Sequence, residues 1–282
     1  MNKFTEIIKT SRPISWVNTA YPFAAGYFVV TQSVSWFWLV GTLYFLIPYN
    51  LMMYGINDVF DYESDLLNPR KGGIEGAVTE RSLHKTIVWS SVLLSVPFLA
   101  YLIVYTNWQA TLWLGFVVFM VIAYSAPKLR FKERPFLDSV TSSTHFVGPL
   151  VYALIIVGWQ PAFWPYVLAF FLWGMASHAF GAVQDIIADR QGKIASIGTV
   201  LGAAWTVRFA LCLYALGAVL LLLQGPKVWA VGLCCLFYAI SILPYRNLSD
   251  KACETANVGW RRFLWLNFIS GAVITISLIL FV

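Results

Sequence analysis

The chain has 282 residues and a mass of 31.8 kDa; 59% of the residues are hydrophobic, 11% are charged, and the mean hydropathy is +0.71. Soluble domains carry about 45–50% apolar and about 25% charged residues, so this composition excludes an ordinary soluble enzyme, a disordered chain and a nucleic-acid-binding domain. The net charge of +6 rests on groups too few and too localised to form a nucleic-acid surface. Cys212, Cys234, Cys235 and Cys253 lie in or beside apolar segments. They lack the spacing of a disulfide framework or a metal motif, and read as small core side chains.

A bilayer core about 30 Å thick asks for about 20 apolar residues per helix. Nine continuous runs meet that demand, at about 14–33, 36–56, 86–106, 110–127, 137–158, 163–183, 199–223, 228–244 and 263–282. Continuous runs favour helices over a barrel, whose strands would alternate. The first run is long enough to be a span rather than a signal peptide. All of the Lys and Arg residues except Lys227 fall on the side of the N-terminus: before run 1, between runs 2 and 3, 4 and 5, 6 and 7, and 8 and 9, with Arg208 a little inside run 7. The positive-inside rule makes that side cytoplasmic. The expected fold is an all-α polytopic membrane protein of nine transmembrane helices grouped 4+4+1. It forms a single domain over 1–282, with its N-terminus in the cytoplasm, and sits in the cell (plasma) membrane. The acids share the basic side, so the active site is expected at the cytoplasmic face. Trp36, Trp38, Trp108, Trp113, Trp159, Trp164 and Trp229 at the other ends read as an interfacial belt. Pro13, Pro22, Pro48, Pro97, Pro127 and Pro149 fall at or within the expected helices and suggest kinks that open a lateral or central cavity.

The exit of the second run reads Asn57-Asp58-Val-Phe-Asp61-Tyr-Glu63-Ser-Asp65. On a continuous helix Asn57, Asp58, Asp61 and Asp65 share an arc of about 100°, with Glu63 on the far side. Carboxylates gathered so closely repel one another unless a cation sits among them. The exit of the sixth run carries Asp185 and Asp189 at i, i+4. Oxygen-only donors suit Mg²⁺, which is usually held by a few carboxylates together with substrate phosphates. Arg70 and Lys71 follow the first cluster, Lys193 follows the second, and Lys128, Arg130 and Lys132 lie between runs 4 and 5. Acid, metal and base in one region describe a diphosphate site. The metal ligands read as Asn57, Asp58, Asp61, Asp65, Asp185 and Asp189. Catalysis would rest on Asp58, Asp61, Asp185 and Asp189, and diphosphate contacts on Asn57, Arg70, Lys71, Lys128, Arg130 and Lys193. His178, two turns before Asp185, is a weaker candidate for a terminating base, and His145 for a hydrogen bond between helices. Arg208 would either snorkel to the interface or pair with an acid of the site. Tyr49, Tyr54, Tyr124 and Trp173 are aromatic rings that could line a cavity or simply pack.

The two motifs, Asn57-Asp58-x-x-Asp61-x-x-x-Asp65 and Asp185-x-x-x-Asp189, resemble those of the UbiA-type intramembrane prenyltransferases, over essentially the whole chain. Where that family often has Lys before the second motif, this chain has Gln184. Within the family the segments Ser11–Tyr21, Tyr54–Asp65, Asn68–Gly73, Tyr124–Pro135 and Phe171–Ser177 resemble the lycopene elongases of C50 carotenoid biosynthesis. The resemblance implies that dimethylallyl diphosphate binds with Mg²⁺ at the Asp clusters and ionises. The terminal double bond of lycopene then attacks the allylic cation, and proton loss or water capture ends the step. Whether a carotenoid cyclase acts as a further partner stays open. The alternatives are another lipophilic acceptor, such as a quinone precursor or haem, and a cation transporter. A transporter would place its ionisable groups nearer the bilayer midplane.

Overall fold

Inside a bilayer the backbone has no water to bond, so a chain this apolar must satisfy its N–H and C=O groups within helices. The computed structural model describes residues 3–66 and 78–281, and helix is the only regular secondary structure among them. In chain order the α-helices are α1 (Lys3–Thr10), α2 (Val17–Thr31), α3 (Trp36–Leu46), α4 (Pro48–Phe60), α5 (Tyr62–Leu66), α6 (Arg81–Val104), α7 (Trp108–Ser125) and α8 (Leu137–Ile156). They continue with α9 (Trp164–Val183), α10 (Ile186–Gln191), α11 (Ile197–Leu201), α12 (Ala203–Leu222), α13 (Trp229–Ile242) and α14 (Asn257–Phe281). Eight stretches among the described residues are long and apolar enough to cross a membrane. The first expected span is the exception. Pro13 starts a 3-10 turn at Pro13–Ser15, and the helix that follows, α2, has 15 residues.

Local chemistry sets the helix ends. The side chains of Ser35 and Asn107 accept the backbone N–H of Trp38 and Ala110 at the starts of α3 and α7, filling donors that the first helical turn leaves open. Ala126 is extended because Pro127 follows it, and this ends α7. Pro48 splits the second expected run into α3 and α4, because it brings no N–H. The carbonyl of Phe45 at that break accepts Thr19 Oγ1 at 2.7 Å and Asn50 Nδ2 at 2.8 Å. Asn50 Nδ2 also reaches Leu46 O at 3.0 Å. Pro22, Pro97 and Pro149 stay inside α2, α6 and α8.

The chain divides into two compact units. The first comprises Met1–Phe131 and His145–Trp159, the second Lys132–Thr144 and Gln160–Val282, so that residues of α8 belong to both. The core of the first is aromatic: Phe23, Phe45, Tyr44, Tyr49 and Tyr152 are fully buried with ring centroids 4.9–6.0 Å apart. Helices come close there through small residues; a Cβ on Gly148 would lie 2.6 Å from Val117 Cγ2. The core of the second gathers Ala176, Ala179, Phe180, Ile186, Ile197 and Tyr214 from α9 to α12, with Tyr238 and Phe263 from α13 and α14. Ser177 Oγ and Tyr214 Oη are hydrogen-bonded at 2.9 Å inside it. Cys234, Cys235 and Cys253 are buried as expected, whereas Cys212 is exposed, on the outer face of α12. Trp36, Trp108, Trp164 and Trp229 are exposed, while Trp38 and Trp113 turn their indole N–H to the carbonyls of Ala24 and Gly148.

Candidate functional site

Each unit carries one of the acidic motifs. In the first, α4 ends at Asp61 and the short α5 follows, so the continuous helix assumed from the sequence is interrupted. The turn nevertheless keeps helical bonds, from Asp61 N to Asn57 O at 2.9 Å and from Asp65 N to Asp61 O at 2.8 Å. The shared face therefore survives the break. Asp58, Asp61 and Asp65 are buried, at 1%, 5% and 7% exposure. Glu63 points to solvent and pairs with Arg81, as its position on the far side of the arc predicts.

Buried carboxylates need partners. Arg12 Nη2 lies 2.8 Å from Asp58 Oδ1, with its guanidinium 4.3 Å from the centre of the Tyr54 ring. Burial opposes the charge of Arg12, but Asp58, Tyr54 and Asp65 hold the guanidinium above its ordinary pKa. Arg130 Nη2 stands 3.6 Å from Asp61 Oδ1. Asn57 Nδ2 donates to Asp61 Oδ2 at 2.7 Å and to Ser125 Oγ at 2.9 Å. Of the expected diphosphate residues in this unit, Arg130 joins the acids and Lys128 stands exposed two residues before it. Both adopt positive φ, 73° at Lys128 and 39° at Arg130, a conformation costly for residues with a Cβ and concentrated at functional sites. Arg70 and Lys71 lie outside the described residues.

In the second unit α9 ends at Val183, Gln184 caps it, and Asp185 stands at the start of α10. Asp189 N bonds Asp185 O at 2.8 Å, which keeps the i, i+4 pair in register. Asp189 Oδ2 accepts Ser196 Oγ at 3.0 Å, and Ser196 also caps α11 in a reciprocal pair with Thr199. Gln184 is buried, its Oε1 accepting Asn257 Nδ2 at 2.7 Å. Lys193 is exposed, with φ 56°. Arg190 turns to Asp250 at 2.7 Å, and Asp250 Oδ1 accepts the Ala203 N–H that opens α12. Arg208 bonds Arg246 O and Asn247 Oδ1 and lies over the Trp205 ring, the interfacial option of the two expected for it.

Among the described residues, no three His, Cys, Asp or Glu side chains converge as a preformed metal cage. The oxygens of the first cluster are instead held by Arg12, Asn57 and Arg130. An oxygen-only donor set without a closed cage fits a hard ion that keeps waters and binds through one or two carboxylates plus phosphate. Arg12 and Ser125 escaped the sequence reading as partners of the first cluster. Arg12 counts there only as a topological charge, and Ser125 carries no motif.

The sequence matches the UbiA prenyltransferase family over residues 19–268. A lycopene elongase/hydratase of Corynebacterium glutamicum is 51% identical over 281 residues, covering 99% of this chain and 98% of that protein. The C(50) beta-cyclic carotenoids biosynthesis protein LbtBC of Dietzia sp. is 49% identical across 96% of this chain, which spans 63% of that protein's length. The structure superposes on a UbiA homolog from Archaeoglobus fulgidus bound to DMAPP and Mg²⁺ with a TM-score of 0.68, at 20% identity, over 95% of this chain and 99% of that one. A UbiA homolog from Aeropyrum pernix gives 0.63 at 17% identity, over 99% and 98%; both likenesses are ones of fold. With its family match over most of its length and its several membrane-crossing helices, the chain belongs to the UbiA prenyltransferase family and is a multi-pass membrane prenyltransferase.

Proposed function

We propose that the protein transfers a dimethylallyl (C5) group from dimethylallyl diphosphate to the ends of lycopene, giving acyclic C45 and C50 carotenoids. The observation that carries this is the 51% identity, end to end, with a lycopene elongase/hydratase. In this reading one prenyltransferase domain of nine spans, 4+4+1, sits in the plasma membrane with its N-terminus and active site on the cytoplasmic side. A carotenoid cyclase would be the partner that takes the product on.

Each acidic cluster would hold Mg²⁺, through Asn57, Asp58, Asp61 and Asp65 in the first unit and through Asp185 and Asp189 in the second. When bound with the donor, the ion supplies the positive charge that a departing diphosphate needs. Arg70, Lys71, Lys128, Arg130 and Lys193 would grip the diphosphate oxygens, the arginines two at a time. The allylic C–O bond breaks and its electron pair leaves with the diphosphate. A terminal double bond of lycopene supplies the pair for the new C–C bond. The resulting cation then loses a proton or takes up water. The 59% hydrophobic composition fits a site that keeps water from the allylic cation until that point.

The test is expression in cells that make lycopene, with the extracted pigments weighed by mass spectrometry. Gains of one and two C5 units, absent with Asp61→Ala or Asp185→Ala, are expected. Unchanged lycopene with the protein folded in the membrane would remove lycopene as the acceptor.

A further inference from the structure

Asp138 lies in the first turn of α8, belongs to neither acidic motif, and has no exposed surface. A carboxylate taken wholly out of water must be met by donors, and the donors here are specific. Its Oδ2 accepts the backbone N–H of Ile197 at 2.7 Å, and its Oδ1 accepts the N–H and the hydroxyl of Ser139 at 2.6 and 3.2 Å. Each contact leads to one aspartate of the second cluster. Ile197 is the residue after Ser196, whose hydroxyl reaches Asp189, so fixing the start of α11 fixes the donor that orients Asp189. On the other side Ser139 Oγ meets His178 Nδ1 at 3.0 Å. With the Ser139 proton given to Asp138, His178 Nδ1–H is the donor of that bond. His178 stands on α9 two turns before Asp185, and the bond ties the end of that helix in place.

We propose that Asp138 is a positioning residue of the prenyl transfer reaction, aligning Asp189 through Ile197 and Ser196 and Asp185 through Ser139 and His178. Outer partners of metal ligands cost about 10–100-fold in metal affinity or activity when removed. A hub serving two ligands belongs in that range. The inference rests on the second cluster binding the diphosphate with a divalent ion.

The experiment uses the full chain in detergent, with Mn²⁺ and inorganic pyrophosphate as the probe, and binding read by the loss of the free Mn²⁺ electron-spin signal. Asp138→Asn is expected to weaken binding about 10-fold while still unfolding in one cooperative step. It should raise KM for dimethylallyl diphosphate more than it lowers kcat. Ser196→Ala should weaken binding less, and the double variant should show less than the two effects combined, since both act through Asp189. Asp189→Asn is the control. If it is weakened and Asp138→Asn binds as the wild type does, or if Asp138→Asn and Ser196→Ala add fully, this proposal is overturned alone. If Asp189→Asn also binds as the wild type does, the diphosphate reading of the cluster falls and takes the proposal with it. Should Asp138→Asn fail to fold, Ser139→Ala carries the test: weakened binding supports the hub, and unchanged binding overturns it.

Discussion

The two acidic motifs are read alike from sequence but are built differently. In the first, cations hold the acids: Arg12 meets Asp58 and Arg130 stands beside Asp61, all close to a helix end that keeps its hydrogen bonds through the turn. In the second, the partners of Asp189 among the described residues include a hydroxyl, while the neighbouring arginine, Arg190, is drawn to Asp250. An acid held by an arginine depends on charge, and so on both partners being present. One held by a hydroxyl and a capped helix start depends on backbone geometry. The same type of acidic side chain can therefore lose its position in two distinct ways.

The largest expected effect removes the difference altogether. On the proposed function, Asp61→Asn and Asp185→Asn should each lower kcat by at least about 100-fold, because each would withdraw a charge from a cluster proposed to hold Mg²⁺ against the leaving diphosphate. A variant within tenfold of the wild type would mean that its cluster is not needed for turnover. Next comes Arg12→Ala. Leaving Asp58 buried without its cation should cost about 3 kcal/mol, read as a lowered unfolding midpoint in detergent, with Arg12→Lys losing less. An unchanged midpoint would show that charge does not hold the first cluster together.

Gly202→Ala probes the geometric side. Gly202 has φ 74° and ψ 167°, and an added Cβ would lie 3.0 Å from Asp250 Oδ1. The strain should cost about 1–3 kcal/mol and disturb the support of α12 and Arg190; a silent substitution would show that this backbone yields easily. The smallest expected effect is that of Ser125→Ala, which removes one of the two hydrogen bonds made by the Asn57 side chain. A loss of about 1 kcal/mol should appear as a rise of about fivefold in KM for the donor, with kcat little changed. A fall in kcat alone would place Ser125 elsewhere in the reaction.

The composition and the apolar runs already spelled out helices and a membrane, and the spacing of Asp58, Asp61 and Asp65 already separated them from Glu63. Those features depend on residues a few positions apart. What stayed hidden was the set of partners. Arg12 is 46 residues from Asp58, Ser125 is 68 from Asn57, and Asp138 is 59 from Ile197. No local periodicity reports such pairings. Arg12 was further masked because the positive-inside rule explains any arginine on that side. The break of the second run was visible in Pro48, but not its repair by Thr19 and Asn50, which again requires a distant helix.

The 15 residues of α2 rise about 22 Å, against a hydrocarbon core of about 30 Å. In the proposed nine-span arrangement a bilayer meeting this helix would thin beside it, or draw the Pro13–Ser15 turn and its neighbours into the headgroup layer, at a cost of fractions of a kcal/mol per Å of mismatch. Lipid acyl length would thereby become a variable of this enzyme. Reconstitution into short-chain and long-chain vesicles would compare the same catalyst in two different solvents.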